Sequence, residues 1–283
     1  MRRPSTLGIR RILLVAGGLV FLAGFQLFVL TEQTEHYFAW TIQPPITAAF
    51  LGAAYWASFV LEVLASREKW WDRTRIAIPT VLVFTIMTLL ATLLHIDRFH
   101  FNSSEPIAVF ASWFWLAIYT FVPAVLLVLL YRQLRAPGND EPRFRPLPLW
   151  LRSLLGIQGV VLLGIGIPLF LVPQIAAVVW PWKLTALTAR AVAAWLIGLG
   201  IGAAQAVYEN DFARLRVAFA SYTFFGLLEL LALARYLTSI DWTAAQSWFY
   251  IVFLASVLVV GVRGWRAPLS TDQAASSRTR DLA

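Results

Sequence analysis

Along the chain the hydrophobic positions neither alternate nor fall on narrow stripes. They form eight long runs, at about 12–30, 46–65, 76–94, 107–130, 149–172, 187–207, 217–234 and 245–262, each bounded by charged, Pro-rich or Trp-rich residues. A bilayer core about 30 Å thick takes roughly 20 apolar residues as a helix. The runs have that length, twice what a barrel strand needs, and lack its two-residue period. The pattern therefore predicts an all-α, polytopic integral membrane protein with eight transmembrane helices. Composition agrees. Hydrophobic residues make up 59% of the chain and charged ones 13%, against roughly 25% charged in soluble domains. The absence of cysteine removes disulfides, thiolate metal sites and thiol catalysis.

A net charge of +8 resembles a nucleic-acid signal until the charges are placed. All but four of the 23 basic residues (Arg98, Lys183, Arg190 and Arg235) fall in the N-terminal segment, the C-terminal segment and every second connection, Arg152 just inside the fifth helix included. Cytoplasmic loops carry such an excess, so both termini are expected in the cytoplasm of a bacterial inner membrane. Anionic lipid heads are the expected partner on that side; a membrane or cytoplasmic protein partner is allowed, and nucleic acid is not. The first apolar run has a basic start but no small-x-small cleavage site before Thr31, and reads as a retained signal anchor.

Sliding the chain over itself by about 141 positions aligns residues 46–91 with 187–232. ASREKWWDRTRIA meets AVYENDFARLRVA, so that Glu68 matches Glu209, Arg73 matches Arg214 and Arg75 matches Arg216. The first helix aligns with the fifth, Gly17 on Gly159, Gly24 on Gly166 and Phe28 on Phe170, and Trp40 then meets Trp182. This predicts a duplicated four-helix unit, in five parts: a basic tail at 1–11, a first repeat at 12–130, a polar linker at 131–148, a second repeat at 149–262 and a disordered cytoplasmic tail at 263–283. Each unit would begin and end on one side, giving parallel repeats. The second unit, from LRSLLGIQGVVLLGIG through LTARAVAAWLIGLG, resembles the DoxX-like group of bacterial four-helix membrane proteins. That resemblance implies four-helix units and brings no active site with it.

Ionisable groups inside spans are costly and point to function. Arg190 and Glu229 are expected to lie at compatible depths near the outer end of the second unit. Both are missing from the first, where Ala49 and Thr88 stand. They are read as an ion pair, either structural or part of a substrate site. Glu62 lies near the inner end of its helix, where it is expected to reach water. The repeated loop motif of Glu68, Arg73, Arg75, Glu209, Arg214 and Arg216 fits either a Glu–Arg bridge that holds a short loop or a docking site for lipid heads or a partner. Outside the membrane, His36, His95, Asp97 and His100 offer imidazole and carboxylate ligands to a zinc-like ion, though at no recognised metal spacing. Thr85, Thr88, Thr92 and His95 form a polar stripe, and Ala194, Gly198, Gly202 and Ala206 a small-residue ridge suited to close packing.

Phosphate-loop, zinc-hydrolase, serine-hydrolase and paired-aspartate motifs are absent, and no cofactor is implied. The expected role is a non-catalytic membrane subunit or scaffold. The alternatives are a carrier for a small or lipophilic solute using the Arg–Glu pair, and a membrane enzyme or metal protein using the outer histidines.

Overall fold

The computed structural model describes residues 1–267. It contains eight helices long and apolar enough to cross a membrane, and no strand among the described residues. This is an all-α integral membrane protein. The helices are α1 (Leu7–Val29), α2 (Pro45–Arg67), α3 (Ala77–Leu94), α4 (Pro106–Leu134), α5 (Leu149–Leu171), α6 (Ala186–Glu209), α7 (Phe212–Arg235) and α8 (Ala245–Trp265). Of the tail expected over 263–283, residues 263–265 belong to α8, while 268–283 lie outside the described residues.

Local chemistry sets the helix ends. Prolines open α2 and α4, where a missing N–H costs nothing. Thr185 and Thr188 form a capping box at the start of α6. Asp211 caps α7, accepting from the backbone N–H groups of Ala213 (2.9 Å) and Arg214 (3.2 Å). That cap starts α7 five residues before the expected position and winds Arg214 and Arg216 into its first turns. The reversal from α6 to α7 passes through Asn210 at φ 42°, a left-handed conformation that asparagine tolerates well.

The eight helices form one closed circuit rather than two bundles side by side. α1 packs on α2, α5 on α6 and α7 on α8, while α2 lies along α7 and α6 along α3. The pattern is unchanged when α1–α4 are exchanged with α5–α8. Burial separates an inner layer from an outer one: 72% of the apolar window of α2 is buried against 22% of that of α4. Close approach relies on small residues. A Cβ on Gly52 would sit 2.5 Å from the backbone nitrogen of Phe28 in α1, and one on Gly198 would meet Thr80 and Phe84 of α3 at 3.2–3.3 Å. The α6 ridge is a packing surface for α3.

One end of the circuit gathers the N-terminal segment, the α2–α3 connection, the 135–148 segment and the α6–α7 connection. Residues 1–6 lie across the first of these connections: Trp71 N–H donates to the Arg3 carbonyl at 3.1 Å and Ser5 N–H to that of Lys69 at 2.9 Å. In the same way Phe212 N–H donates to the Arg145 carbonyl at 3.0 Å. Two Arg-Pro segments, at 3–4 and 145–146, thus strap two corresponding turns.

Candidate functional site

On α2, Tyr55, Ser58 and Glu62 follow one another at spacings of three and four, which places them on one helix face. That face turns inward. Ser58 Oγ donates to Glu62 Oε1 at 3.0 Å, and the Tyr55 and Tyr119 hydroxyls share a hydrogen bond of 2.5 Å. Glu62 is only 2% exposed, and its Oε2 has no hydrogen-bond partner. The expectation that Glu62 reaches water is therefore corrected: α2 continues to Arg67, and the first turn of α1 holds that end, Arg10 Nε donating to the Ser66 carbonyl at 2.8 Å. A narrow cavity adjoins the carboxylate among α1–α4; Thr85, Phe84 and Tyr119 also line it.

Arg190 and Glu229 do not meet, and the expected ion pair is corrected. Arg190 donates through Nε to the Phe170 carbonyl at 3.0 Å, capping a last-turn C=O of α5 that has no helical partner. Its Nη1 lies 2.6 Å from His95 Nε2. Glu229 accepts from the Tyr250 hydroxyl of α8 at 3.0 Å, and its Oε1, like Glu62 Oε2, is buried and unpaired. The reason lies in the packing: α6 and α7 are consecutive but barely touch, because α7 packs on α2 and α8.

The outer histidines do not converge, and among the described residues no group of three His, Asp or Glu side chains is placed to hold a metal. This corrects the expected metal set. His36 contacts Glu35 and Glu105 at 3.1 and 3.4 Å. His100 bonds the Phe38 carbonyl and Thr41 Oγ1, both at 3.0 Å. Asp97 pairs with Arg98 at the surface. His95 turns to α6 instead. Burial, then the Arg190 charge, lowers its pKa below the usual imidazole value, so it stays a neutral acceptor. Of the polar stripe, Thr85 and Thr92 bond carbonyls of their own helix, as membrane hydroxyls commonly do.

The loop motif forms a tertiary hub. Glu209, 1% exposed, accepts from Arg75 Nε and Nη2 (2.5 and 2.8 Å) and from Arg214 Nη1 (2.8 Å). Arg75 also bonds Asp140, and Arg214 the Glu141 carbonyl. Burial opposes the Arg75 charge, but Glu209 and then Asp140 raise its pKa above the ordinary arginine value. The bridge thus closes the α6–α7 loop through Arg214 and also joins the two halves through Arg75. Arg73 lies 3.8 Å from Glu141, whereas Glu68 and Arg216 make no ion pair among the described residues. Sequence reasoning missed Arg2, which bridges Asp72 at 2.8 Å and Glu141 at 2.5 Å; the signal was the Arg-Pro pair recurring at 3–4 and 145–146. It also missed Tyr55 and Tyr119, of which Tyr55 was legible as the partner one face shares with Glu62.

No protein-family model matches the chain, and no curated protein or solved structure is significantly similar to it.

Proposed function

We propose that this protein is a carrier of the bacterial cytoplasmic membrane that moves a small lipophilic solute in exchange for protons, with Glu62 as the proton-exchanging group. The observation that carries this reading is the unpaired Oε2 of a carboxylate 2% exposed within a membrane-spanning helix, beside a cavity. Such a carboxylate is expensive to keep ionised without a partner, so it earns retention by binding and releasing a proton. Tyr119 and Thr85 supply polar neighbours in that cavity. The identical helix pairing in α1–α4 and α5–α8 and the paired Arg-Pro straps support descent from a duplicated four-helix unit. The basic end is assigned to the cytoplasm by its excess of arginine.

Infrared difference spectra of the purified protein across pH test the reading. A proton-exchanging Glu62 gives a carboxyl band that appears and disappears with pH and is lost in Glu62→Gln. A spectrum without a Glu62-dependent band that responds to pH overturns the carrier and leaves a non-catalytic subunit. That second reading is favoured by the Glu209 hub, which ties the α2–α3 connection, α6, α7 and the 135–148 segment into a fixed frame.

A further inference from the structure

A cavity of about 390 Å³ opens at the basic end, where the N-terminal segment, the α2–α3 connection, the 135–148 segment and the first turn of α7 meet. That volume lies within the range of sites that hold small molecules. Its lining is charged: Arg2, Arg73, Arg145 and Arg214 stand among Asp72, Glu141 and Asp211.

Two of those carboxylates are committed inside the fold. Asp211, 4% exposed, caps α7 through Oδ1, and its Oδ2 accepts from the backbone N–H groups of Phe144 and Arg145, both at 3.0 Å. Asp72, 2% exposed, accepts from Arg2 at 2.8 Å and from the Glu141 N–H at 3.1 Å. Glu141 differs. Its side chain is 39% exposed, and it holds Arg2 at 2.5 Å but reaches Arg73 only at 3.8 Å, too far for a hydrogen bond.

The repeated loop motif shows why Arg73 is left over. In the second half Glu209 pairs with Arg214, five residues on. In the first half Glu68 has the same spacing from Arg73, yet the two form no ion pair. The motif closes in one half and leaves a half-buried guanidinium on the cavity wall in the other. The charges around the cavity do not cancel this surplus. Arg75 is held by Glu209 and Asp140, which balances the seven charged groups of the lining. Beyond them Arg3, Lys69 and Arg143 outnumber Glu68; Arg3 bonds the Gly138 carbonyl and Arg143 lies over the Tyr208 ring. Such a field concentrates anions at the mouth.

We propose that the cavity binds the phosphate group of a phosphorylated ligand, which Arg73 and Arg2 hold in place of the Glu141 carboxylate. Phosphate offers acceptors only, and its oxygens match the two-pronged guanidinium donor. Glu141 is the built-in occupant of the seat, and its exposure lets it swing out to the solvent. The remaining volume accommodates the organic part of a small phosphomonoester or the glycerol of a phospholipid head. The site goes beyond the carrier reading and does not depend on it, because Glu62 forms no part of the cavity.

The test is calorimetric titration of the full-length protein in a neutral detergent with inorganic phosphate, glycerol 3-phosphate and dihexanoylphosphatidylglycerol, with chloride at matched ionic strength as the control. Saturable binding is expected from at least one of the three probes and not from chloride. Tighter binding of glycerol 3-phosphate assigns the site to a soluble ligand, and tighter binding of the short-chain lipid assigns it to a membrane head group. Arg73→Gln is expected to weaken binding about tenfold or more. Glu141→Gln removes the competing carboxylate and is expected to strengthen it severalfold, an effect that loss of a merely structural contact would not produce. It also keeps the test open if Arg73→Gln fails to fold. Arg132→Gln, on the exposed inner end of α4 and outside the cavity, is expected to leave affinity unchanged. Absence of saturable binding, affinity unaltered in Arg73→Gln, weaker binding in Glu141→Gln, or equal losses in Arg73→Gln and Arg132→Gln each overturn the site.

Discussion

Glu209→Ala is the sharpest perturbation of the basic end. The substitution removes a buried carboxylate shared by two arginines, one of which, Arg214, is 7% exposed at its side chain. Breaking a buried ion pair from one side costs about 3–5 kcal/mol, because it leaves a charge uncompensated. Arg75 is 18% exposed and keeps Asp140, and Arg214 keeps the Glu141 carbonyl, so the cost should fall near the lower bound, about 3 kcal/mol. For a protein of this size that corresponds to a fall in melting temperature of roughly 6–12 °C. Thermal unfolding in detergent of Glu209→Ala, Arg75→Ala and the double variant gives the coupling directly. The double should be less damaging than the sum of the singles, by between about 0.5 and 3 kcal/mol. A cost below about 0.5 kcal/mol for Glu209→Ala, the range of ordinary surface changes, would refute the reasoning, as would a double that equals the sum.

Because Arg190 and Glu229 have separate partners, Arg190→Ala and Glu229→Thr should add to within about 0.5 kcal/mol in the same assay; coupling beyond that would place them in contact. Gly52→Ala should lower stability by about 1–3 kcal/mol, since its Cβ meets α1 backbone, whereas Gly18→Ala, with nothing within 4 Å, should be neutral or stabilising by up to about 1 kcal/mol. His95 has a folded pKa below its unfolded value, so the unfolded chain binds the proton more readily. Its contribution is complete above about pH 6.5 and is lost as pH falls through the folded pKa, and His95→Gln should flatten the decline of melting temperature with acid in that window. Single cysteines at Ser104 and Ser239 should react with an impermeant reagent from outside the cell and one at Asn139 should not; the reverse pattern would invert the orientation.

Helix existence was legible because a span must be long and apolar whatever it packs against. The run at 46–65 became Pro45–Arg67 and that at 187–207 became Ala186–Glu209. The start of α7 was misplaced because Arg214 and Arg216 read as loop charges, while the Asp211 cap made them helical. Partner choice was not legible. Arg190 and Glu229 were paired on the assumption that consecutive helices are neighbours, yet α7 seeks α2 and α8. Spans that are apolar all round show no single face from which to read a neighbour. Metal ligation by His36, His95 and His100 likewise depended on turns that carry them apart, and no spacing in the sequence fixes those turns.

The exchange of neighbours between halves has a consequence for how the protein is made. The surface of α2 that carries Ala49, Ala53 and Ala57 is completed by α7, whose Ser221 Oγ donates to the Ala57 carbonyl across 164 residues of sequence at 2.7 Å. α3 likewise waits for α6. At elongation rates of about 5–20 residues per second, the first four spans reside in the bilayer for several seconds with their inner faces uncovered. During that interval the nascent half is the natural client of an insertase or intramembrane chaperone. A first half expressed alone should remain in that immature state until a separately made second half arrives to complete it.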